Sequence, residues 1–114
     1  MSIAALLHIT SFQPRPGTVA VQVVGEIDAS TVPELALALD SAWETRPRTM
    51  VLDLSRVEFL GTAGLTEILH TSERAQAANA DFRIVTGGRS VVRALDVIGS
   101  RLPTSPDLAH ALAS

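Results

Sequence analysis

The chain has 114 residues, a formal net charge of −3, no cysteine, and 46% apolar residues against only 4% aromatic ones. That length fits one domain with one core, which must be built from Val, Leu, Ile and Ala. The composition excludes disulfides and thiolate chemistry, offers no basic run for nucleic acid, and holds no apolar run near the roughly 20 residues of a membrane-spanning helix.

Met1 to Leu7 lack a basic n-region and a cleavage pattern, so a cytoplasmic domain over residues 1–114 is expected. Ala4 to Phe12 reads as a first strand, and Gln13-Pro14-Arg15-Pro16-Gly17 as a turn. Thr18 to Ile27 reads as a second strand. Val19, Val21 and Val23 alternate with Ala20 and Gln22, which predicts one buried face and an antiparallel hairpin with the first strand. Asp28-Ala29-Ser30-Thr31 ends that strand and starts a helix. Thr31 and Glu34 have capping-box spacing, and Pro33 falls in the first turn. Val32, Leu35, Ala36, Leu39, Ala42 and Trp43 form its apolar stripe, and Thr45-Arg46-Pro47-Arg48 closes it.

Met50-Val51-Leu52-Asp53-Leu54 is short and apolar, as in a strand buried on both faces, with Asp53 as a structural hydrogen-bond acceptor. The chain then runs through Ser55 to Leu60 into Gly61-Thr62-Ala63-Gly64-Leu65, a turn of small residues. A second helix, about Ala63 to Ala77, carries Leu65, Ile68, Leu69, Ser72 and Ala75 on one face. Asn79-Ala80-Asp81 is a turn and Phe82 to Thr86 a strand. Gly87-Gly88 ends that strand and lacks the spacing of a nucleotide fingerprint. Ser90 is the predicted cap of a third helix with Val91, Val92, Leu95 and Ile98, stopped at Gly99. Arg101-Leu102-Pro103 reads as a short edge strand, and Ser105-Pro106-Asp107 starts a terminal helix, Leu108 to Ala113. The order β-β-α-β-α-β-α-β-α predicts an α/β domain. Its mixed, mostly parallel sheet has the Met50–Leu54 strand inside it and helices packed against it.

Loops at the C-terminal ends of parallel strands converge and host functional groups. Here they carry Asp28, Ser30 and Thr31, then Gly61, Thr62 and Ala63, then Gly87 and Gly88. Thr62 holds the only nucleophilic hydroxyl of its turn, at a helix N-terminus whose free N–H groups favour an anion. On pattern alone it reads first as a helix cap. Asp28 is either a turn residue bonding its own backbone or the polar neighbour of Thr62. No His or Lys can be placed beside Thr62 to activate its hydroxyl, so an enzyme is not expected. His8, His70 and His110 lack mutual ligand spacing, so neither a metal nor a cofactor is predicted. Glu67, His70, Glu73 and Arg74 form the polar side of the second helix, which pattern alone reads as a solvated face.

The run Val51-Leu52-Asp53-Leu54-Ser55, Val57, Phe59-Leu60 and Gly61-Thr62-Ala63-Gly64-Leu65 resembles the signature of bacterial anti-sigma factor antagonists. These are single STAS domains, a module also found on the tails of sulfate transporters. Gly25-Glu26-Ile27-Asp28 is similar to the family's Gly-Glu-Leu-Asp. The family's turn reads Asp-Ser-Ser-Gly-Leu or Asp-Ser-Thr-Gly-Leu, and the first hydroxyl residue after the Asp is phosphorylated. Aligned on Gly64-Leu65, Gly61 stands at the Asp position, Thr62 at the acceptor and Ala63 at the second hydroxyl. The resemblance implies the STAS fold and an antagonist that binds an anti-sigma factor, often a serine/threonine kinase, and so frees a sigma factor. Phosphorylation at Thr62 would end the binding and a phosphatase would restore it. The implied partner surface holds Asp28, Ser30, Thr31, Gly61, Thr62, Ala63, Glu67 and His70. The alternative is a STAS scaffold or sensor module that acts through assembly and is never phosphorylated.

Overall fold

Valine alternation makes Thr18–Ile27 a strand, and everything else is laid beside it. The protein is described here by a computed structural model covering residues 7–98 and 102–113. Its elements are β1 (His8–Arg15), β2 (Thr18–Ile27), α1 (Val32–Glu44), β3 (Thr49–Leu60), α2 (Thr62–Ala77), β4 (Asp81–Val85), α3 (Arg89–Val97), β5 (Thr104–Ser105) and α4 (Leu108–Ala111). The five strands form one mixed sheet in the order β1-β2-β3-β4-β5. β1 and β2 are antiparallel, and every later pairing is parallel, as the strand–helix alternation predicts. β3 lies in the centre.

The sheet has two unequal cores. On one face Val19, Val21, Val23, Met50, Leu52, Leu54 and Ile84 pack against Leu35 and Leu39 of α1, Leu65 and Ile68 of α2, and Val91 and Leu95 of α3. On the other, Ala20, Val51 and Val85 meet Ala111 of α4. Apart from Asp53, Met50 to Leu54 is therefore apolar without alternation because side chains on both of its faces are buried.

Beyond Leu54 the strand continues, where the sequence reading placed only a connection. The β2–β3 register slips twice, between Gln22 and Val24 and between Gly25 and Glu26, and each slip gives β3 one extra residue. Each bulge advances the inward face by three positions instead of two. Leu54, Val57 and Leu60 are thus buried, while Ser55, Arg56, Glu58 and Phe59 face outward. Gly25 sits at the second slip with φ 123°, a conformation that favours glycine.

Several other boundaries differ from the sequence reading. β1 runs on to Arg15, since Pro14 and its missing N–H are tolerated on an edge strand, and the turn shrinks to Pro16-Gly17. Ala4 to Leu6 lie outside the described residues, and Leu7 precedes the strand. β4 begins one residue earlier, at Asp81. The last strand is Thr104–Ser105, not Arg101–Pro103. Arg101 lies outside the described residues, and Pro103 gives only its carbonyl to the Ile84 N–H at 2.9 Å. Ser90 is not a cap. Gly88 takes that position, and the Ser90 hydroxyl donates to the Glu58 carbonyl at 3.0 Å. α3 ends at Val97, and Gly99 lies outside the described residues. α4 stops at Ala111, with Asp107 accepting from the His110 N–H at 2.8 Å. Among the described residues no helix is long and apolar enough to cross a membrane.

Candidate functional site

β2 and β3 end side by side, with Ile27 opposite Leu60. The next residue of β3, Gly61, donates its N–H to the Ile27 carbonyl at 2.9 Å. Gly61 is then the N-cap of α2 in an extended conformation, φ −87° and ψ −179°. Thr62 is the first helical residue, so it is not the cap that pattern alone allowed. Its side chain is exposed, and its hydroxyl has no partner among the described residues. The first intrahelical bond runs from the Leu65 N–H to the Gly61 carbonyl at 3.1 Å. The N–H groups of Thr62, Ala63 and Gly64 precede it and remain directed out of the helix. An exposed hydroxyl therefore stands where a negative charge is favoured.

Two contacts explain the small residues of the turn. A Cβ on Gly61 would lie 3.1 Å from the Phe59 ring, which folds over the turn. A Cβ on Gly64 would lie 2.5 Å from Leu60 Cδ1 and 2.7 Å from Ile27 Cγ2. Gly64 thus lets α2 settle onto the ends of both strands.

The neighbouring loop is held by Asp28. Its Oδ1 accepts from the Ser30 hydroxyl at 2.7 Å, the Ser30 N–H at 2.9 Å and the Thr31 N–H at 3.1 Å. These bonds, the Ser30 hydroxyl first, hold its carboxyl below the ordinary carboxylate range. Asp28 therefore does bond its own backbone. Thr31 is only 1% exposed. Its hydroxyl donates to the Glu26 carbonyl at 2.8 Å and accepts from the Asp28 N–H at 3.0 Å. That commitment replaces the predicted capping box, and α1 starts without a side-chain cap bond. Of the residues expected at a partner surface, Thr31 shapes the loop from inside. Asp28, Ser30, Gly61, Thr62, Ala63, Glu67 and His70 are at least partly accessible.

Two apolar side chains beside this group escaped the sequence reading. Leu69 was expected in the buried stripe of α2 but is 39% exposed, and Thr71 is buried instead, its hydroxyl donating to the Glu67 carbonyl at 2.9 Å. Phe59 is 48% exposed. The signals were there: Leu65, Ile68 and Ala75 complete a stripe without Leu69, and Val57 and Leu60 break the two-residue period. Asp53 is the acceptor expected of it, receiving the Ser55 N–H at 2.9 Å and Gln22 Nε2 at 3.2 Å. Among the described residues no three His, Asp or Glu side chains converge as a metal site.

A family model for the STAS domain matches residues 10–111. The anti-sigma-F factor antagonist RsfB of Mycobacterium tuberculosis is 34% identical over 83 residues, spanning 73% of this chain and 67% of RsfB. The crystal structure of an anti-sigma factor antagonist from Mycobacterium paratuberculosis aligns with a TM-score of 0.85 at 32% identity, covering 94% of this chain and 92% of that one. The Bacillus cell fate determinant SpoIIAA in its phosphorylated form aligns with a TM-score of 0.73, covering 93% and 97%. Its identity of 14% makes this a likeness of fold alone.

Proposed function

The chain belongs to the STAS domain family of anti-sigma factor antagonists, and from that premise we propose that it binds an anti-sigma factor until Thr62 is phosphorylated. The partner is a serine/threonine kinase. While bound to this protein it cannot hold its sigma factor. Transfer of a phosphoryl group from ATP to Thr62 Oγ1 ends the complex, and a phosphatase resets it. The protein is then a binding module and a substrate, not an enzyme.

The observation that supports Thr62 is its unspent hydroxyl. Ser30 gives its hydroxyl to Asp28, and Thr31, Thr66 and Thr71 give theirs to backbone carbonyls. Thr62 alone of this group has its oxygen exposed and uncommitted. The partner surface on this reading spans Asp28, Ser30, Gly61, Thr62, Ala63, Glu67 and His70, with Leu69 and Phe59 as its apolar part and Thr31 beneath it.

Incubation with the cognate kinase and ATP, followed by intact-mass measurement, tests the modification. Wild type should gain one phosphoryl group and Thr62→Ala none. Equal labelling of Thr62→Ala would move the acceptor elsewhere. No labelling of wild type would favour a constitutive antagonist or the scaffold that is never phosphorylated.

A further inference from the structure

The face of the sheet opposite α1, α2 and α3 is only partly covered by α4. Beside α4 lies a cleft of about 370 Å³, between β1, the first bulge of β3 and the segment leading into α4. Its walls carry His8, Thr10, Gln22, Asp53, Arg56 and Asp107. We propose that this cleft binds a small zwitterion, holding its ammonium group on Asp53 and its carboxylate on Arg56.

Asp53 is the only buried ionisable side chain among the described residues, at 6% exposed. Buried carboxylates are normally paired with a cation, because desolvating an unpaired charge is costly. Asp53 has two neutral donors, Gln22 Nε2 and the Ser55 N–H, and no cationic partner among the described residues. Each of its oxygens accepts one of these bonds and retains a second lone pair for a ligand.

Arg56 is the complementary half. It is exposed and makes no hydrogen bond or ion pair among the described residues. The bulge brings it to the side of the sheet that Asp53 faces, where an unbroken strand would alternate. Asp107 is already engaged, accepting from the His110 N–H at 2.8 Å and paired with His110 Nδ1 at 2.7 Å. Both of those bonds use Asp107 Oδ1 at the exposed rim, so Asp53 is the buried carboxylate without a cation and Arg56 the open guanidinium of the cleft.

The two open charges select the ligand. A simple amine would meet Asp53 but be repelled by Arg56, and a simple carboxylate would meet Arg56 but face Asp53 and Asp107. A molecule carrying both charges answers both, and a guanidinium suits two-point recognition of its carboxylate. The volume falls in the range of small-molecule sites, roughly 300–1,000 Å³. Three strand steps, at most roughly 10 Å, separate the Asp53 and Arg56 backbones, so a zwitterion with its charges set apart fits better than glycine.

The test is an amide NMR titration of the full chain with γ-aminobutyrate, with butylamine and butyrate as single-charge controls. Saturable shifts at Gln22 and across Asp53 to Arg56 are expected for γ-aminobutyrate, with affinity at least about tenfold above either control. Arg56→Gln, at an exposed position, should bring γ-aminobutyrate down to the affinity of butylamine. Asp53→Asn should bring it down to that of butyrate. If Asp53→Asn fails to fold, Arg56→Gln decides alone. The proposal is overturned by the absence of saturable shifts up to ~50 mM, far beyond the weak end of ordinary ligand affinities. It is equally overturned if butylamine binds as well as γ-aminobutyrate, or if Arg56→Gln binds like wild type.

Discussion

The Gly61 N–H donates to the Ile27 carbonyl across 2.9 Å, and this bond ties the entry of α2 to the end of β2. The loop of Asp28 and the turn of Thr62 are thereby one surface, built from two crossovers distant in sequence. Gly64 completes the join, because Ile27 and Leu60 fill the space where its side chain would be.

Gly64→Ala should therefore destabilise the domain. The new methyl group would meet two buried side chains, and overpacking of this kind costs about 1–3 kcal/mol. Alanine recovers up to ~1 kcal/mol of helix propensity, which does not offset the clash fully. The midpoint of urea unfolding should fall at constant slope, and an unchanged or raised midpoint would contradict the packing described.

Adjacent residues on α2 should respond in opposite ways. Ile68 is fully buried, so Ile68→Ala should cost about 2–5 kcal/mol of stability. Leu69 is exposed, so Leu69→Ala should stay within about 0.5 kcal/mol of wild type. It should still weaken the anti-sigma partner. Paired unfolding and binding measurements check both halves.

The Asp28 carboxyl should titrate below the ordinary aspartate value of 3.8, because the Ser30 hydroxyl and the loop N–H groups stabilise its charged form. The sign follows from linkage. With the folded pKa depressed, the contribution of Asp28 is fully present above 3.8 and is lost as pH falls through the lower folded value. Ser30→Ala removes the first of these donors and should move the titration upward. Carbon NMR of the carboxyl group reads the shift directly, and an inflection at or above 3.8 in wild type would refute the bonding pattern.

These variants touch both what the sequence made legible and what it hid. The Val19–Val21–Val23 alternation and the apolar run Met50 to Leu54 identified the sheet and its central strand. The Gly61–Leu65 turn identified the start of α2. What failed were the cap assignments and the faces of the second half of β3, which depended on particular tertiary partners. Thr31 and Ser90 have the composition of caps, but the Glu26 and Glu58 carbonyls took their hydroxyls. The second half of β3 was hidden because two bulges changed its period from two to three. Arg56 and Phe59 were passed over for that reason, since a residue's face cannot be assigned across a bulge from alternation.

At the proposed partner surface, Ala63→Arg and Glu67→Lys should each weaken anti-sigma binding by at least about tenfold, with a melting temperature near that of wild type. Both positions lie in the first turns of α2 and neither is fully buried. A binding isotherm and a melting curve on the same sample separate contact from unfolding. Wild-type affinity in both variants would place the surface elsewhere.

The most direct test compares the affinity of the purified anti-sigma partner for unmodified protein and for protein phosphorylated at Thr62. The phosphoryl group adds about −1.5 to −2 charges. At the start of α2 the free N–H groups and the helix dipole favour an anion by about 0.3–1 kcal/mol, so the fold should persist with a near-native melting temperature. At a packed interface the same charge must be desolvated, and about 3 kcal/mol lost there is more than a hundredfold in affinity. The account predicts that loss for the phosphorylated protein and for Thr62→Glu, with Thr62→Ala still binding. Equal affinity of the unmodified and fully phosphorylated proteins would contradict it.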